Sequence, residues 1–250
     1  MLEIRNLTAG YPGHPVLNYV NLNIPEGKVT VIAGPNGCGK STLLKAVAGI
    51  LPGKGQLLLN DEPLHSLPPR LLARKIAYLP QSRPVPEITA ERLVLHGRFP
   101  WLGYPRRYRQ EDLALVREIM EKLDIAHLAA CSVASLSGGQ RQKVYLAMAL
   151  AQDTPVVLLD EPDAFLDIRH RLQLMELAKD LAREGKTVVT VLHDLSMALE
   201  GADQLAVMKN GAVAAQGTPE EIYGAGCLKD IFGVDVCRMH TPNGWKYYYK

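Results

Sequence analysis

The sequence predicts an α/β protein built around a mainly parallel sheet. Short, largely apolar runs at Val29–Ala33, Val156–Asp160 and Thr187–Leu192 are typical of strands that are buried on both faces. Segments with helical spacing of their apolar residues follow these runs. Strands that alternate with helices favour an α/β core.

The remaining predicted elements extend this pattern in both directions along the chain. Two β-rich segments open the sequence, and a turn-rich stretch at 9–15 separates them. The predicted elements are strands at Leu2–Leu7 and Val16–Ile24, helices at Ser41–Ala48, Gln110–Leu123, Arg141–Ala151 and Asp167–Glu184, a hairpin of Gln204–Lys209 with Ala212–Gln216, and a C-terminal hairpin around Asn243-Gly244.

The chain is expected to form a single domain over residues 1–250, with one inserted part. Residues 87–151 are mostly helical in pattern, whereas 1–86 and 152–233 hold the strands. We therefore expect an α/β core with an antiparallel β subdomain, an inserted α-helical subdomain, and a tail at 234–250.

The composition is that of an ordinary soluble globular protein. Of its 250 residues, 47% are hydrophobic and 22% are charged, and the formal net charge of +2 is too small to indicate nucleic-acid binding. Four cysteines without a C-x-x-C pair favour reduced thiols. We expect no leader peptide at residues 1–10, and no run approaches the ~18 apolar residues that a membrane span requires.

A phosphate-binding loop is the strongest chemical signal. The segment between a predicted strand and a predicted helix matches G-x-x-x-x-G-K-[ST], and with the next residue it reads Gly34, Pro35, Asn36, Gly37, Cys38, Gly39, Lys40, Ser41, Thr42. Backbone N–H groups of such a loop point at phosphate oxygens, and the helix N-terminus adds partial positive charge. Lys40 is expected to reach the β- and γ-phosphates of ATP, and Ser41 to ligate Mg²⁺.

Two adjacent acids at the end of a buried strand complete a predicted P-loop NTPase core. Asp160 is expected to hold Mg²⁺, partly through water. Glu161 is positioned to act as the general base that polarises the attacking water. Two acids at a strand end would, in isolation, be solvated surface residues; the phosphate loop favours the functional interpretation.

A third motif, at residues 136–140, is specific enough to indicate a protein family. The run formed by Leu136, Ser137, Gly138, Gly139 and Gln140 precedes a predicted helix. It resembles the signature motif of the ABC transporter ATPases, which implies a RecA-like core and contact with the ATP of a second subunit. Its hydroxyl and glycine N–H groups would offer donors to a γ-phosphate at a helix N-terminus.

Further site residues follow from this resemblance. Gln81 matches the Q-loop and implies contact with Mg²⁺ and the attacking water. His193 matches the H-loop and implies a donor to the γ-phosphate, with Asp194 as the cap of the next helix.

Asp167, at the end of the run 164–167, matches the D-loop, where Asp163 replaces a more usual threonine. Tyr11 matches the aromatic residue that stacks on adenine, although it could also be a simple surface aromatic.

The resemblance implies a working assembly around MgATP. Two copies of the chain would pair head to tail, each completing the other's site. The dimer would bind membrane permease subunits, and through them act with an extracytoplasmic substrate-binding protein. The chain would lie on the cytoplasmic side of the membrane as a peripheral subunit.

Local features resemble one subclass, the ATPase subunits of importers for ferric siderophores, haem and cobalamin. These features are the runs 69–81, 96–100 and 166–170. An ATPase of a zinc or manganese importer, or of another small solute, remains an alternative. A soluble ABC ATPase and a non-hydrolysing nucleotide sensor are less favoured, because the chain shows no tandem domain and retains Glu161 and His193.

A permease is expected to dock in a groove near Gln81 and the helical insertion. The segment Arg98–Arg107 contains Phe99, Trp101 and Tyr104 and could line this groove. The same segment could instead be an exposed aromatic and basic loop with no partner.

Overall fold

A parallel sheet forms the centre of the protein, as shown by a computed structural model that describes residues 1–163, 166–242 and 244–250. In the described part of the chain the strand order across the sheet is β10 (Ala212–Gly217), β9 (Gln204–Lys209), β3 (Val29–Ala33), β8 (Thr187–Val191), β7 (Val156–Asp160), β6 (Ile76–Leu79). β10 pairs antiparallel with β9, and the other neighbours are parallel.

Two smaller antiparallel units accompany this sheet. The first has the order β2 (His14–Ile24), β1 (Leu2–Tyr11), β4 (Gly53–Leu59), β5 (Glu62–Pro63). The second is a C-terminal hairpin of β11 (Val236–Thr241) and β12 (Gly244–Tyr249). Its predicted turn residue Asn243 lies outside the described residues.

The helices connect the strands and fill the middle of the chain. The α-helices are α1 (Lys40–Val47), α2 (Pro69–Leu72), α3 (Ala90–Leu95), α4 (Gln110–Lys122), α5 (Gly138–Ala151), α6 (Ile168–Arg183), α7 (Leu195–Gly201), α8 (Pro219–Gly224) and α9 (Leu228–Phe232). Short 3-10 helices lie at Leu64–Ser66, His96–Trp101, Ala126–Leu128 and Val133–Ser135. Among the described residues, no helix combines the length and the apolar character that a bilayer span needs.

The alternation of side chains along β3 divides the apolar core into two layers. Val29, Val31 and Ala33 pack with the helices on one face of the sheet. Ile32 packs on the other face, with β1, β2, β4 and α1. Successive side chains of a strand point to opposite faces, so a strand covered on both faces is largely apolar. Four of the five residues of β3 are accordingly apolar, and Thr30 is the exception.

The predicted fold class is confirmed, and most predicted elements are present with ends that differ by a few residues. The extended segments that the sequence analysis did not predict are β4, β5 and β6. β4 begins with four exposed residues, Gly53 to Gln56, and β6 has only four residues, so neither shows a long periodic pattern. The division into core, helical subdomain and tail stays a prediction.

Arg98 is held inside the helical part of the chain. Its Nε donates to Asp112 Oδ1 at 2.8 Å, and its Nη1 donates to the carbonyl of Ala151 at 3.0 Å. The side chains of Arg98 and Asp112 are 13% and 8% exposed. The segment 98–107 therefore does not present Arg98 to a partner, contrary to the expectation that it lines a docking groove. Tyr104 in the same segment is fully exposed.

Asp112 should be more important for stability than its neighbour Glu111. Burial opposes its ionisation, but hydrogen bonds from the Arg109 backbone and from Arg98 prevail and lower its pKa. Asp112→Asn should reduce the free energy of unfolding by about 3 kcal/mol, because Arg98 loses its buried counter-charge. Chemical denaturation measures this change.

Glu111→Gln is the matched control, since it also removes a carboxylate from the first turn of α4 but leaves an exposed position. It should change stability by less than about 0.5 kcal/mol. Because the folded-state pKa of Asp112 is lowered, its stabilisation is complete above the ordinary aspartate pKa and is lost as pH falls through the lowered value. Equal effects of both variants at neutral pH would contradict this assignment.

Candidate active site

The predicted phosphate loop follows β3 directly and leads into α1. Gly34 has φ 156°, and a Cβ there would lie 2.4 Å from the carbonyl oxygen of Met208, so any side chain would displace backbone. Gly39 caps α1 with φ 107° and provides no side-chain hydrogen bond. The first N–H groups of α1 are therefore not used by a cap and can bind an anion.

Lys40 lies inside this loop. It is 5% exposed, and its Nζ donates to the carbonyls of Gly34 at 2.8 Å and Pro35 at 3.1 Å. The ammonium group is thus placed at the loop backbone, where phosphate oxygens would replace the carbonyls as acceptors. Asn36 and Gly37, at the crest of the loop, are exposed.

Asp160 lies at the end of β7 and connects the loop helix to the sheet. It is 1% exposed. Ser41 Oγ donates to its Oδ1 at 2.8 Å, and the hydroxyl of Tyr78 donates to its Oδ2 at 3.0 Å. Burial raises the pKa of Asp160, although both hydrogen bonds act in the opposite direction. Sequence analysis missed Tyr78, whose hydroxyl reaches Asp160 only because β6 and β7 are adjacent.

Ser41 and Asp160 fit a magnesium ion. Both offer oxygen, which Mg²⁺ prefers, and the buried carboxylate has no protein cation bonded to it among the described residues. No cluster of three or more acidic, histidine or cysteine side chains in that part of the chain could hold a metal ion alone. This suits Mg²⁺, which takes few protein ligands and completes its shell with phosphates and water.

Glu161 is the residue at which two other predicted catalytic residues, Gln81 and His193, meet. Its Oε2 lies 2.7 Å from Nε2 of His193 and accepts a hydrogen bond from Nε2 of Gln81. Gln81 therefore contacts Glu161 in this structure and not the Ser41–Asp160 pair. Glu161 is 7% exposed and has φ 49°, a left-handed conformation that is costly for a residue other than glycine.

A third acid lies close behind this group. Asp163 is 4% exposed, and within the described residues its Oδ1 has no hydrogen-bond partner. Burial raises its pKa, and the charge of Glu161 adds to the effect, whereas Arg171 and His193 oppose it. The threonine that the family resemblance leads one to expect at this position would carry no charge.

The signature motif occupies the N-terminus of α5. Ser137 caps the helix by accepting from the N–H of Gln140, and the Gln140 side chain accepts from the N–H of Ser137. Ser137 and Gly138 are exposed, while Leu136 anchors the motif in the core. Within the described residues, no hydrogen bond joins the motif residues to the phosphate loop, Asp160 or Glu161.

A glutamine just beyond the signature motif connects three parts of the site. Gln142 Nε2 donates to the carbonyl of Pro162 at 2.6 Å, and its Oε1 accepts from Nη2 of Arg83 at 2.9 Å. Arg83 also lies over the ring of Tyr145 at 4.7 Å, and burial lowers its pKa to about 10. Sequence analysis missed this link, because neither residue type nor spacing distinguishes Gln142 from other helical residues.

Tyr11 and Asp167, the other two predicted site residues, each contact a different helix. Tyr11 is 45% exposed, and its hydroxyl accepts from Nζ of Lys45, on α1, at 3.3 Å. Asp167 caps α6 by accepting from the N–H of His170 at 2.9 Å, and the hydrogen bonds from His170 lower its pKa. The preceding residues of the predicted D-loop, Ala164 and Phe165, lie outside the described residues.

A groove of about 420 Å³ separates the Gln81 loop from the signature helix. Gln81, Arg83 and Val85 line one side, and Arg141 and Tyr145 line the other. Its position agrees with the docking groove that we expected near Gln81, but no residue of 98–107 lines it.

A cradle for phosphate, an acid suited to Mg²⁺ and a glutamate held between an amide and an imidazole define a P-loop ATPase. The family comparison is more specific. The profile of the family described as ABC transporter matches residues 17–164, which is more than half of the 250 residues. The chain belongs to the ABC transporter family, as the signature motif indicated.

Three known proteins illustrate the similarity. The ferric enterobactin transport ATP-binding protein FepC of Escherichia coli (strain K12) is 42% identical over 244 residues, covering 96% of this chain and 90% of FepC. An inward-facing ABC transporter assigned to the metal-chelate type is 25% identical, with a TM-score of 0.84 and coverage of 100% and 96%. The dimeric bacterial ABC transporter cassette MJ0796 is 30% identical, with a TM-score of 0.78 and coverage of 88% and 99%.

These comparisons confirm the class that the sequence predicts, the ATP-hydrolysing subunit of an ABC transporter. They also confirm the resemblance to the ATP-binding subunits of metal-chelate importers. The roles of the individual site residues stay predictions, for which the contacts described above provide support.

Neutralising Asp163 should stabilise the protein. The folded state binds the Asp163 proton more tightly than the unfolded state, so the free energy of unfolding falls as pH rises through the range between the ordinary and the raised pKa. Asp163→Asn should increase stability by about 1–2 kcal/mol at mildly alkaline pH. The gain should disappear in acid, where the native carboxyl is already protonated. Thermal melts across pH measure it.

Asp61→Asn is the control, because Asp61 is exposed and has φ 64°, which asparagine also tolerates. It should leave stability unchanged at every pH. A pH-independent gain, or a loss, in the Asp163 variant would contradict the assignment of a buried, poorly compensated charge.

Proposed function

We propose that this chain is the ATP-hydrolysing subunit of an importer for a metal chelate, working as a dimer beneath a membrane permease. One observation carries the catalytic part of the proposal. Gln81 and His193 converge on Glu161, while the signature motif in the same chain faces solvent. Each chain thus has the groups for one half of a reaction centre and an unused anion-binding helix end for another.

The residues of the cradle bind and orient the nucleotide. Lys40 and the N-terminus of α1 attract the phosphates, and Tyr11 offers a ring on which adenine can stack. Mg²⁺, when bound at Ser41 and Asp160, supplies positive charge to the phosphate oxygens. Glu161 accepts a proton from the attacking water, and Gln81 and His193 hold its carboxylate in place.

A second copy of the chain would complete the site. Ser137 and Gly138 are exposed at a helix N-terminus of the type that binds phosphate. If each copy presents this end to the nucleotide of the other, the arrangement is head to tail and ATP lies between the two surfaces. The dimeric state of the MJ0796 cassette supports this proposal.

The permease would place the dimer on the cytoplasmic side of the membrane, and a substrate-binding protein outside the cell would deliver cargo. The similarity to FepC, a ferric enterobactin transport protein, and to the metal-chelate type transporter supports a ferric or other metal chelate as that cargo. The groove beside Gln81 provides the docking surface, because it joins the catalytic loop to the signature helix.

Glu161→Gln tests the catalytic assignment. Turnover of ATP should fall about 10²- to 10³-fold, because the amide cannot accept the proton, while ATP binding is retained. The variant should accumulate as an ATP-bound dimer in size-exclusion chromatography. Lys40→Ala, in contrast, should mainly weaken ATP binding, and Glu176→Gln on the exposed face of α6 should leave turnover unchanged. Wild-type turnover by the Glu161 variant would reject the general-base role.

Association with a permease tests the transport assignment. The chain should co-purify with a metal-chelate permease of its own organism, and the pair should support uptake of ferric chelates by iron-starved cells. Val85→Glu, in the groove, should weaken co-purification, whereas Tyr104→Ala, on the exposed segment outside the groove, should not. Uptake of zinc or manganese instead would reject the proposed cargo class.

A further inference from the structure

The C-terminal hairpin holds helix α7 at both of its ends. At the C-terminal end of the helix, Glu200 accepts a hydrogen bond from Nζ of Lys246 at 2.5 Å and another from the backbone N–H of Tyr247 at 3.1 Å. At the N-terminal end, the hydroxyl of Tyr249 reaches Asp194. α7 has only seven residues, too few to be stable by itself, so these two attachments add to the core packing of Leu195, Ala198 and Leu199 in fixing its position.

The hydroxyl of Tyr249 acts both as a hydrogen-bond donor and as an acceptor. It donates to Oδ1 of Asp194 at 3.1 Å and accepts from the backbone N–H of Ser196 at 2.9 Å. The same Asp194 oxygen caps α7 by accepting from the N–H groups of Ser196 at 2.9 Å and Met197 at 3.2 Å. The hairpin therefore joins the cap of the helix directly.

The hairpin itself is firmly attached to the rest of the protein. Tyr247 is 7% exposed and meets the ring of Tyr223, on α8, edge to face at 5.6 Å. Arg238 lies over the rings of Tyr223 and Trp245 at 4.6 and 4.1 Å. Such contacts with both helices α7 and α8 allow β12 to act as a fixed support.

His193 stands between this support and the candidate catalytic carboxylate. Only Leu192, His193 and Asp194 separate β8 from α7. The side chain of His193 is 49% exposed, so packing restrains it little, yet its Nε2 lies 2.7 Å from Oε2 of Glu161. Its position must therefore come mainly from the backbone, which β8 fixes on one side and the Asp194 cap on the other.

We infer that Tyr249 is a positioning residue for His193, acting through the hydrogen bond to Asp194. The inference rests on the catalytic role proposed above for His193 and assigns a function to the C-terminal tail, which lies outside the family match at 17–164. Tyr249 touches neither Glu161 nor the phosphate loop among the contacts of the described residues.

Tyr249→Phe removes the hydroxyl and keeps the ring. The kcat for ATP should fall about three- to ten-fold, the change expected from one lost hydrogen bond, with KM unchanged. Tyr248→Phe is the matched control, because Tyr248 is the preceding residue of β12, points to the opposite face and is 50% exposed. It should leave kcat unchanged, and thermal melts should show that both variants stay folded at the temperature of the assay.

A double-mutant cycle with His193→Ala distinguishes a positioning role that Tyr249 exerts through His193 from a contribution to turnover that is independent of His193. If Tyr249 acts through His193, Tyr249→Phe should have less than a twofold effect in the His193→Ala background. Independent, multiplicative losses would overturn the inference, as would wild-type kcat for Tyr249→Phe when His193→Ala is impaired. Full turnover by His193→Ala would overturn the inference too, but would also reject the role proposed for His193, so the two failures are distinguishable.

Discussion

The parallel pairing of β3, β8 and β7 is the constraint on which the candidate active site depends. Ile32 and Asp160 both pair with Val191, so the three strands end level with one another. The residues that follow each strand are therefore carried to one edge of the sheet, as is usual for ligand sites in open α/β sheets. The phosphate loop, Glu161 and His193 are neighbours for this reason, although they are far apart in sequence.

The site concentrates negative charge before any ligand arrives. Asp160, Glu161 and Asp163 are each less than a tenth exposed, and burial raises the pKa of Asp160 and Asp163. A bound divalent cation would lower the pKa of Asp160 again, because its charge favours the ionised carboxylate. Nucleotide with its metal is thus expected to stabilise the folded chain by mass action as well as to supply the substrate.

Sequence analysis could predict the parts of the site that are local in the chain. The phosphate loop and the pair Asp160–Glu161 follow apolar strands, so motif and context appear together within a few residues. Tyr78 and Gln142 could not be predicted, because their contacts depend on which strand lies beside β7 and how α5 packs on the loop after it. Arg98 was misjudged for the same reason: an arginine in a polar segment gives no sign of a buried partner such as Asp112.

Gln142 mechanically couples the groove to the backbone beside Glu161. Its amide oxygen is bonded to Arg83, beside the groove, and its amide nitrogen to the carbonyl next to Glu161. Because both ends of one short, planar group are engaged, a displacement of Arg83 strains a hydrogen bond unless α5 or the backbone at Pro162 moves with it. If the proposed permease docks in the groove, its movement would be transmitted through Gln142 both to the backbone beside Glu161 and to the helix that carries the signature motif.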